Sequence, residues 1–84
     1  MGSDPEQTPQ TPVFTVQVAA RLVGITRVTL RAWEIRHGFV RPARTRRGQR
    51  LYSQEDIDRL REIKKLLDGG ASLTGIKKML GRGR

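Results

Sequence analysis

The sequence predicts a mainly α-helical domain with one small β-hairpin. Apolar residues recur at helical spacing in four short segments, each preceded by Thr or Ser and followed by Gly. Between the second and third segments, Pro42 prevents a helix from continuing, and Gly48 separates two short extended pieces. The chain has 84 residues, of which 36% are hydrophobic, and these suffice for one small core.

The first two predicted helices are short and joined by a tight turn. Thr15 is positioned to cap a helix of about two turns that ends at Gly24. Thr26 is positioned to cap a second helix, which we place at about residues 26–36. This arrangement is typical of the helix-turn-helix, whose second helix enters the major groove of DNA.

A basic hairpin and two further helices follow. The hairpin strands are predicted at residues 40–45 and 49–52. Ser53 and Ser72 are positioned to cap the third and fourth helices. The predicted core consists of apolar residues on the inward helix faces: Leu22, Leu30, Ile57, Leu60 and Ile63. This order of elements predicts a winged helix-turn-helix, in which the hairpin, about residues 43–52, is the wing.

The chain divides into a tail, a domain and a short end. Residues 1–12 are rich in Pro and poor in apolar side chains, so we expect them to be disordered. We place the folded domain at residues 13–81 and a frayed C-terminus at residues 82–84. No stretch approaches the roughly 18 apolar residues that cross a bilayer, and no secretory signal is present. We therefore expect a cytoplasmic, nucleoid-associated protein without a membrane partner.

Charge indicates the kind of partner. Seventeen Lys and Arg against eight Asp and Glu give a net charge of +9. Six arginines and no acidic residue lie between Arg36 and Arg50. Because the planar guanidinium fork of arginine matches phosphate and guanine, this stretch favours contact with nucleic acid.

Catalysis and metal binding are not expected. The sequence has no cysteine and one histidine, His37, so neither a thiolate metal site nor a cysteine nucleophile is possible. No nucleophile, general base and orienting partner can be assembled from the remaining residues. We therefore expect no enzymatic activity and no cofactor.

Several ordered motifs carry a family resemblance. They are Phe14-Thr15-Val16-Gln17-Val18-Ala19, Gly24-Ile25-Thr26, Thr29-Leu30-Arg31-Ala32-Trp33-Glu34, Gly38-Phe39, Pro42-Ala43-Arg44-Thr45, Gly48-Gln49-Arg50-Leu51-Tyr52-Ser53 and Asp56-Ile57. Together they resemble the N-terminal DNA-binding domain of the MerR family of transcriptional regulators. The Ala32-Trp33-Glu34 motif is similar to the light- and cobalamin-linked branch (CarA, CarH and LitR types). Gly75-Ile76-Lys77-Lys78 is more like the HspR and GlnR types.

The resemblance implies a site. It makes the second helix the recognition helix, Arg31 its family arginine, and Gln49-Arg50 the part of the wing that approaches the minor groove or backbone. We expect Arg50 to enter the minor groove. The candidate DNA-binding residues are Thr26, Arg27, Thr29, Arg31, Trp33, Arg36, Arg44, Arg46, Arg47, Gln49, Arg50, Tyr52 and Lys64.

The expected partner is double-stranded DNA, read in sequence by a transcriptional regulator. Two alternatives remain open: a small architectural or excisionase-like factor that bends DNA, and an interaction module whose basic surface binds an acidic protein that competes with DNA. Family members continue into a dimerisation helix. We therefore expect a homodimer in a longer parent protein and a monomer for the chain that ends at Arg84.

Overall fold

The computed structural model describes the backbone of residues 8–82 and the side chains of residues 8–80. The predicted tail residues 1–7, and residues 83–84 of the predicted frayed end, lie outside the described residues. The elements are β1 (Pro12–Thr15), α1 (Val16–Val23), α2 (Arg27–Ile35), β2 (Ala43–Arg44), β3 (Arg50–Ser53), α3 (Gln54–Asp68) and α4 (Leu73–Arg82). The mainly helical winged helix-turn-helix predicted from the sequence is confirmed.

Hydroxyl side chains begin the first three helices, as the sequence predicts. The Thr15 hydroxyl accepts a hydrogen bond from the Val18 N–H at 3.4 Å and begins α1. Gly24 ends this helix with a φ of 85°, a conformation that favours glycine. At α3, Ser53 and Asp56 each accept a hydrogen bond from the other's backbone N–H, which forms a capping box.

The sheet differs from the predicted hairpin. Within residues 8–82, three strands pair antiparallel in the order β1-β3-β2. The sequence predicts no strand at β1 and places Pro12 in the tail. In the structure Pro12 begins β1, and Phe14 of this strand pairs with Tyr52. The first hairpin strand, β2, is shorter than the predicted residues 40–45, and Val40 is buried in the core instead of lying in a strand. The second, β3, has the predicted length but lies one residue later than predicted.

Residues of the predicted tail lead into β1. The Thr8 N–H donates to the Thr11 hydroxyl at 2.8 Å. The Pro9 carbonyl accepts a hydrogen bond from the Glu55 N–H at 2.9 Å, beside the first turn of α3. Residues 8–11 therefore lie against the folded domain.

The core joins all four helices to the sheet. It comprises Ala19, Ala20, Val23, Leu30, Trp33, Phe39, Val40, Tyr52, Ile57, Leu60, Ile63 and Ile76. The prediction that Leu22 belongs to the core is wrong, since this side chain is 36% exposed. Leu22 lies about 100° around α1 from the centre of its buried face. No helix within the described residues is long and apolar enough to span a membrane.

Candidate nucleic-acid interface

Helix α2 presents a basic face to solvent. Leu30 and Trp33 are buried, and the Trp33 ring packs edge-on against Phe39 with centroids 6.1 Å apart. These contacts fix the rotation of the helix about its axis. As a consequence, Arg27 and Arg31 lie on the exposed side.

The start of α2 is held by two threonines. The Thr26 hydroxyl accepts a hydrogen bond from the Thr29 N–H at 3.0 Å. The two hydroxyls are also 3.0 Å apart, with Thr26 as donor. Both groups therefore serve the cap, and this cap sets the position from which Arg27 projects.

The wing is a tight turn between β2 and β3. The Gly48 N–H donates to the Thr45 carbonyl at 2.9 Å, and the Thr45 N–H donates to the Gln49 carbonyl at 2.9 Å. Gly48 has a φ of 82°, which an L-residue would adopt only with strain. The turn leaves Arg46 and Arg47 exposed at its tip.

An ion pair connects the wing to α2. The Arg50 Nε–H donates to both carboxylate oxygens of Glu34, at 2.8 and 3.0 Å. Only 18% of the Arg50 side chain and 12% of the Glu34 side chain are exposed. The Tyr52 hydroxyl donates to the same carboxylate at 3.4 Å. Glu34 therefore holds two residues of β3 against α2.

The chemistry of this cluster keeps Tyr52 neutral. Burial of the ring and the negative charge of Glu34 raise the pKa of Tyr52 to about 12, although Arg50 opposes the shift. The phenol consequently remains a hydrogen-bond donor to Glu34 over the whole physiological pH range.

A groove of about 460 Å³ lies between α2 and the wing. The helix lines it with Arg27, Val28 and Arg31. The wing lines it with Gly48 and Gln49 on the opposite side. Arg50 of β3 also lines the groove, which is therefore bordered by three arginines.

The structure separates the predicted site residues into three groups. The exposed ones are Thr26, Arg27, Arg31, Arg36, Arg44, Arg46, Arg47 and Gln49. Trp33 and Tyr52 are buried, so both rings belong to the core. The other three are partly buried and already have partners within the protein. Thr29 belongs to the helix cap, Arg50 forms an ion pair with Glu34, and Lys64 forms an ion pair with Asp68 at 2.7 Å.

Three residues that line the groove are not among the predicted site residues: Val16, Val28 and Gly48. Val28 is 80% exposed beside Arg27. Glu34, the partner of Arg50, is also not among the predicted site residues. A helical wheel places Val28 on the outward face. The two-residue period of a strand places Arg50 and Tyr52 on one face, where an acidic partner would be expected.

A capped second helix, a basic hairpin beside it and a groove between them define a winged helix-turn-helix domain. A model of the MerR HTH family regulatory proteins matches residues 14–82. The chain therefore belongs to the MerR family, and the resemblance found in the sequence is confirmed.

Individual relatives are similar to this chain over about four-fifths of its length. The HTH-type transcriptional regulator MlrA of Escherichia coli (strain K12) is 44% identical over 68 residues, which are 81% of this chain and 28% of MlrA. The HTH-type transcriptional repressor CarH of Myxococcus xanthus is 36% identical over 67 residues, which are 80% of this chain and 22% of CarH. The chain thus spans less than a third of the length of either relative.

A solved structure shares the fold. It is HiNmlR, a MerR family regulator lacking the sensor domain, in a crystal structure bound to promoter DNA. The two chains have a TM-score of 0.71 and 29% sequence identity. The match covers 79% of this chain and 52% of HiNmlR.

Proposed function

We propose that this domain binds double-stranded DNA sequence-specifically as the DNA-binding part of a MerR-type transcriptional regulator. The observation that carries the proposal is the groove between α2 and the wing, which Arg27 and Arg31 line, together with the exposed arginines Arg46 and Arg47 at the wing tip. Side chains of one sign around a concave surface concentrate the potential that attracts a polyanion. The promoter-bound state of HiNmlR, which shares this fold, supports the same partner.

Helix α2 fits the major groove. An α-helix with its side chains has a diameter of about 10–12 Å, and the major groove is about 12 Å wide. Arg27 and Arg31 lie on the exposed face in the first turns, which is where recognition helices meet base edges and phosphates. We assign sequence reading to this face.

The wing supplies contacts to the backbone or minor groove. Arg46 and Arg47 lie exposed at its tip, and Arg44 is exposed at its base. Arg50 is held by Glu34, so a minor-groove contact by Arg50 would require that ion pair to open. We therefore assign the DNA contacts of the wing to Arg44, Arg46 and Arg47, and to Arg50 the task of holding the wing against α2.

Selection from a random DNA pool tests this proposal. A reproducible short sequence preference is expected for a regulator, whereas an architectural factor would select no consensus sequence. Binding of the selected duplex should also weaken steeply with salt. About six to eight phosphate contacts give a slope of log affinity against log salt of roughly −5 to −7.

A slope near zero would overturn the nucleic-acid assignment. An acidic protein that mimics DNA would use the same basic surface, and competition between that protein and the selected duplex would reveal it. Binding of the acidic protein without measurable affinity for any duplex would favour the interaction module over the regulator.

A further inference from the structure

Val28 is the most exposed of the large apolar side chains on the described surface. It is 80% exposed, compared with 60% for Ile35 and 51% for Met79. Single exposed apolar residues are common on proteins, so exposure by itself has no functional meaning. The position of Val28 is what matters, because it lines the groove between α2 and the wing.

Two arginines of α2 flank the Val28 side chain. Arg27 precedes Val28 in the first turn of α2, and Arg31 follows three residues later on the same side of the helix. If the two guanidinium groups contact phosphates or base edges, Val28 is brought against a base edge between them. The valine side chain has no hydrogen-bonding atom, so it gains free energy there only from apolar contact.

Only one base presents a methyl group in the major groove. Thymine carries it at C5, whereas the edges of adenine, guanine and cytosine present hydrogen-bond donors and acceptors. Burial of one methyl group against an apolar side chain is worth about 0.8 kcal/mol, which corresponds to roughly fourfold in affinity.

We propose that Val28 reads the C5-methyl group of a thymine in the bound DNA. This inference rests on the proposed function, since it adds a specificity-determining residue to the same groove. Arg27 and Arg31 provide attraction that is shared with other bases and with phosphates. Val28 then favours thymine over cytosine or uracil at one position of the site.

The test compares a duplex selected from the random pool with the same duplex in which deoxyuridine replaces every thymidine. The replacement removes the methyl groups and leaves the base pairing and the phosphates unchanged. The unsubstituted protein should bind the uracil duplex roughly threefold to tenfold more weakly. In Val28→Ala this ratio should fall towards one, because most of the apolar contact is lost.

Met79→Ala is the matched control. Met79 is an exposed apolar residue of α4 and does not line the groove, so its variant should keep the thymine-to-uracil ratio of the unsubstituted protein. Val28→Ala is expected to fold, since Val28 is exposed and alanine favours helix more than valine does. Circular dichroism checks this directly.

The possible outcomes are distinguishable. Equal affinity of the unsubstituted protein for both duplexes would overturn the role of Val28 and leave DNA binding intact. An unchanged ratio in Val28→Ala would also overturn it, because another residue would then sense the methyl group. Failure to bind either duplex, even at low salt, would overturn the proposed function itself.

Discussion

Glu34 organises the site at the scale of single residues. Its carboxylate accepts hydrogen bonds from Arg50 and Tyr52 and thereby joins α2 to β3. An acidic residue this close to the proposed DNA-binding groove would repel phosphates if its charge were not compensated. Arg50 compensates this charge, so the ion pair both holds the wing against α2 and offsets the negative charge of Glu34.

The interaction energy between Glu34 and Arg50 can be measured from the free energies of unfolding of single and double variants. We expect Glu34→Ala or Arg50→Ala alone to lower the free energy of unfolding by about 1.5–3 kcal/mol, because each leaves a partly buried charge without its partner. The double variant should lose less than the sum, by about 1–2 kcal/mol. Urea unfolding of the four proteins measures this difference, and strictly additive losses would show that the pair contributes nothing to stability.

Tyr52 makes stability depend on pH in the alkaline range. The pKa of Tyr52 is raised to about 12 in the folded protein from the ordinary tyrosine value of 10.0. Between these values the unfolded chain loses the phenolic proton and the folded chain keeps it, so ionisation favours unfolding. Stability from this group is fully present below pH about 10, and about 2–3 kcal/mol should be lost as the pH rises to about 12.

Absorbance titration isolates this residue, because the sequence contains one tyrosine. The tyrosinate signal should develop about two pH units higher in the folded protein than in urea. Tyr52→Phe should remove this contribution to the pH dependence of unfolding. A folded-state titration near the ordinary tyrosine value would contradict the geometry of the Glu34 cluster.

At the scale of elements, the start of α3 joins the wing to the core. Ser53 ends β3 and caps α3: its hydroxyl accepts a hydrogen bond from the Asp56 N–H, and its own N–H donates to the Asp56 carboxylate. The same residue therefore fixes both the register of the wing strand and the direction of the long helix. Loss of this cap would affect the base of the wing as well as the helix.

Ser53→Ala should lower the free energy of unfolding by about 1–2 kcal/mol, since the Asp56 N–H loses its acceptor at a position that is 5% exposed. Ser72→Ala is a matched control at α4, where the hydroxyl accepts from the Gly75 N–H on the exposed surface. Its cost should be smaller, because water replaces the lost partner there. Equal losses in thermal unfolding would contradict the special position of Ser53.

Local signals explain which elements were predictable from the sequence. Thr15, Thr26 and Ser53 begin helices because their hydroxyls cap within three residues, and this spacing is visible in the sequence. Strand β1 was not predicted, because its partner β3 lies far along the chain and its residue Thr15 also caps α1. Short extended segments with distant partners leave little local pattern.

The candidate site was also predictable from the sequence only where a local pattern determines it. The outward position of Arg27 and Arg31 follows from helical periodicity. The ion pair between Arg50 and Glu34 does not follow from periodicity. It depends on how the wing folds back onto Glu34, sixteen residues earlier in the chain. The inward position of Trp33 follows from its helical spacing with Leu30, and both Trp33 and Tyr52 are buried in the core.

At the scale of the whole molecule, the net charge of +9 is distributed over more than one face. Arg27 and Arg31 line the groove between α2 and the wing, and Arg46 and Arg47 are exposed at the wing tip. Arg59 and Lys77 line a different cavity, between the end of α2 and the helices α3 and α4. The central claim is that DNA occupies the first of these surfaces, and the second provides an internal comparison of equal charge.

The most direct measurement is the salt dependence of binding to the selected duplex in two double variants. Arg46→Ala with Arg47→Ala removes two charges from the wing tip, and Arg59→Ala with Lys77→Ala removes two from the other cavity. If DNA lies in the groove, the wing pair should reduce the magnitude of the salt slope by about two units, while the control pair should leave it close to that of the unsubstituted protein. An unchanged slope in the wing pair, or an equal loss in both variants, would contradict the assigned interface.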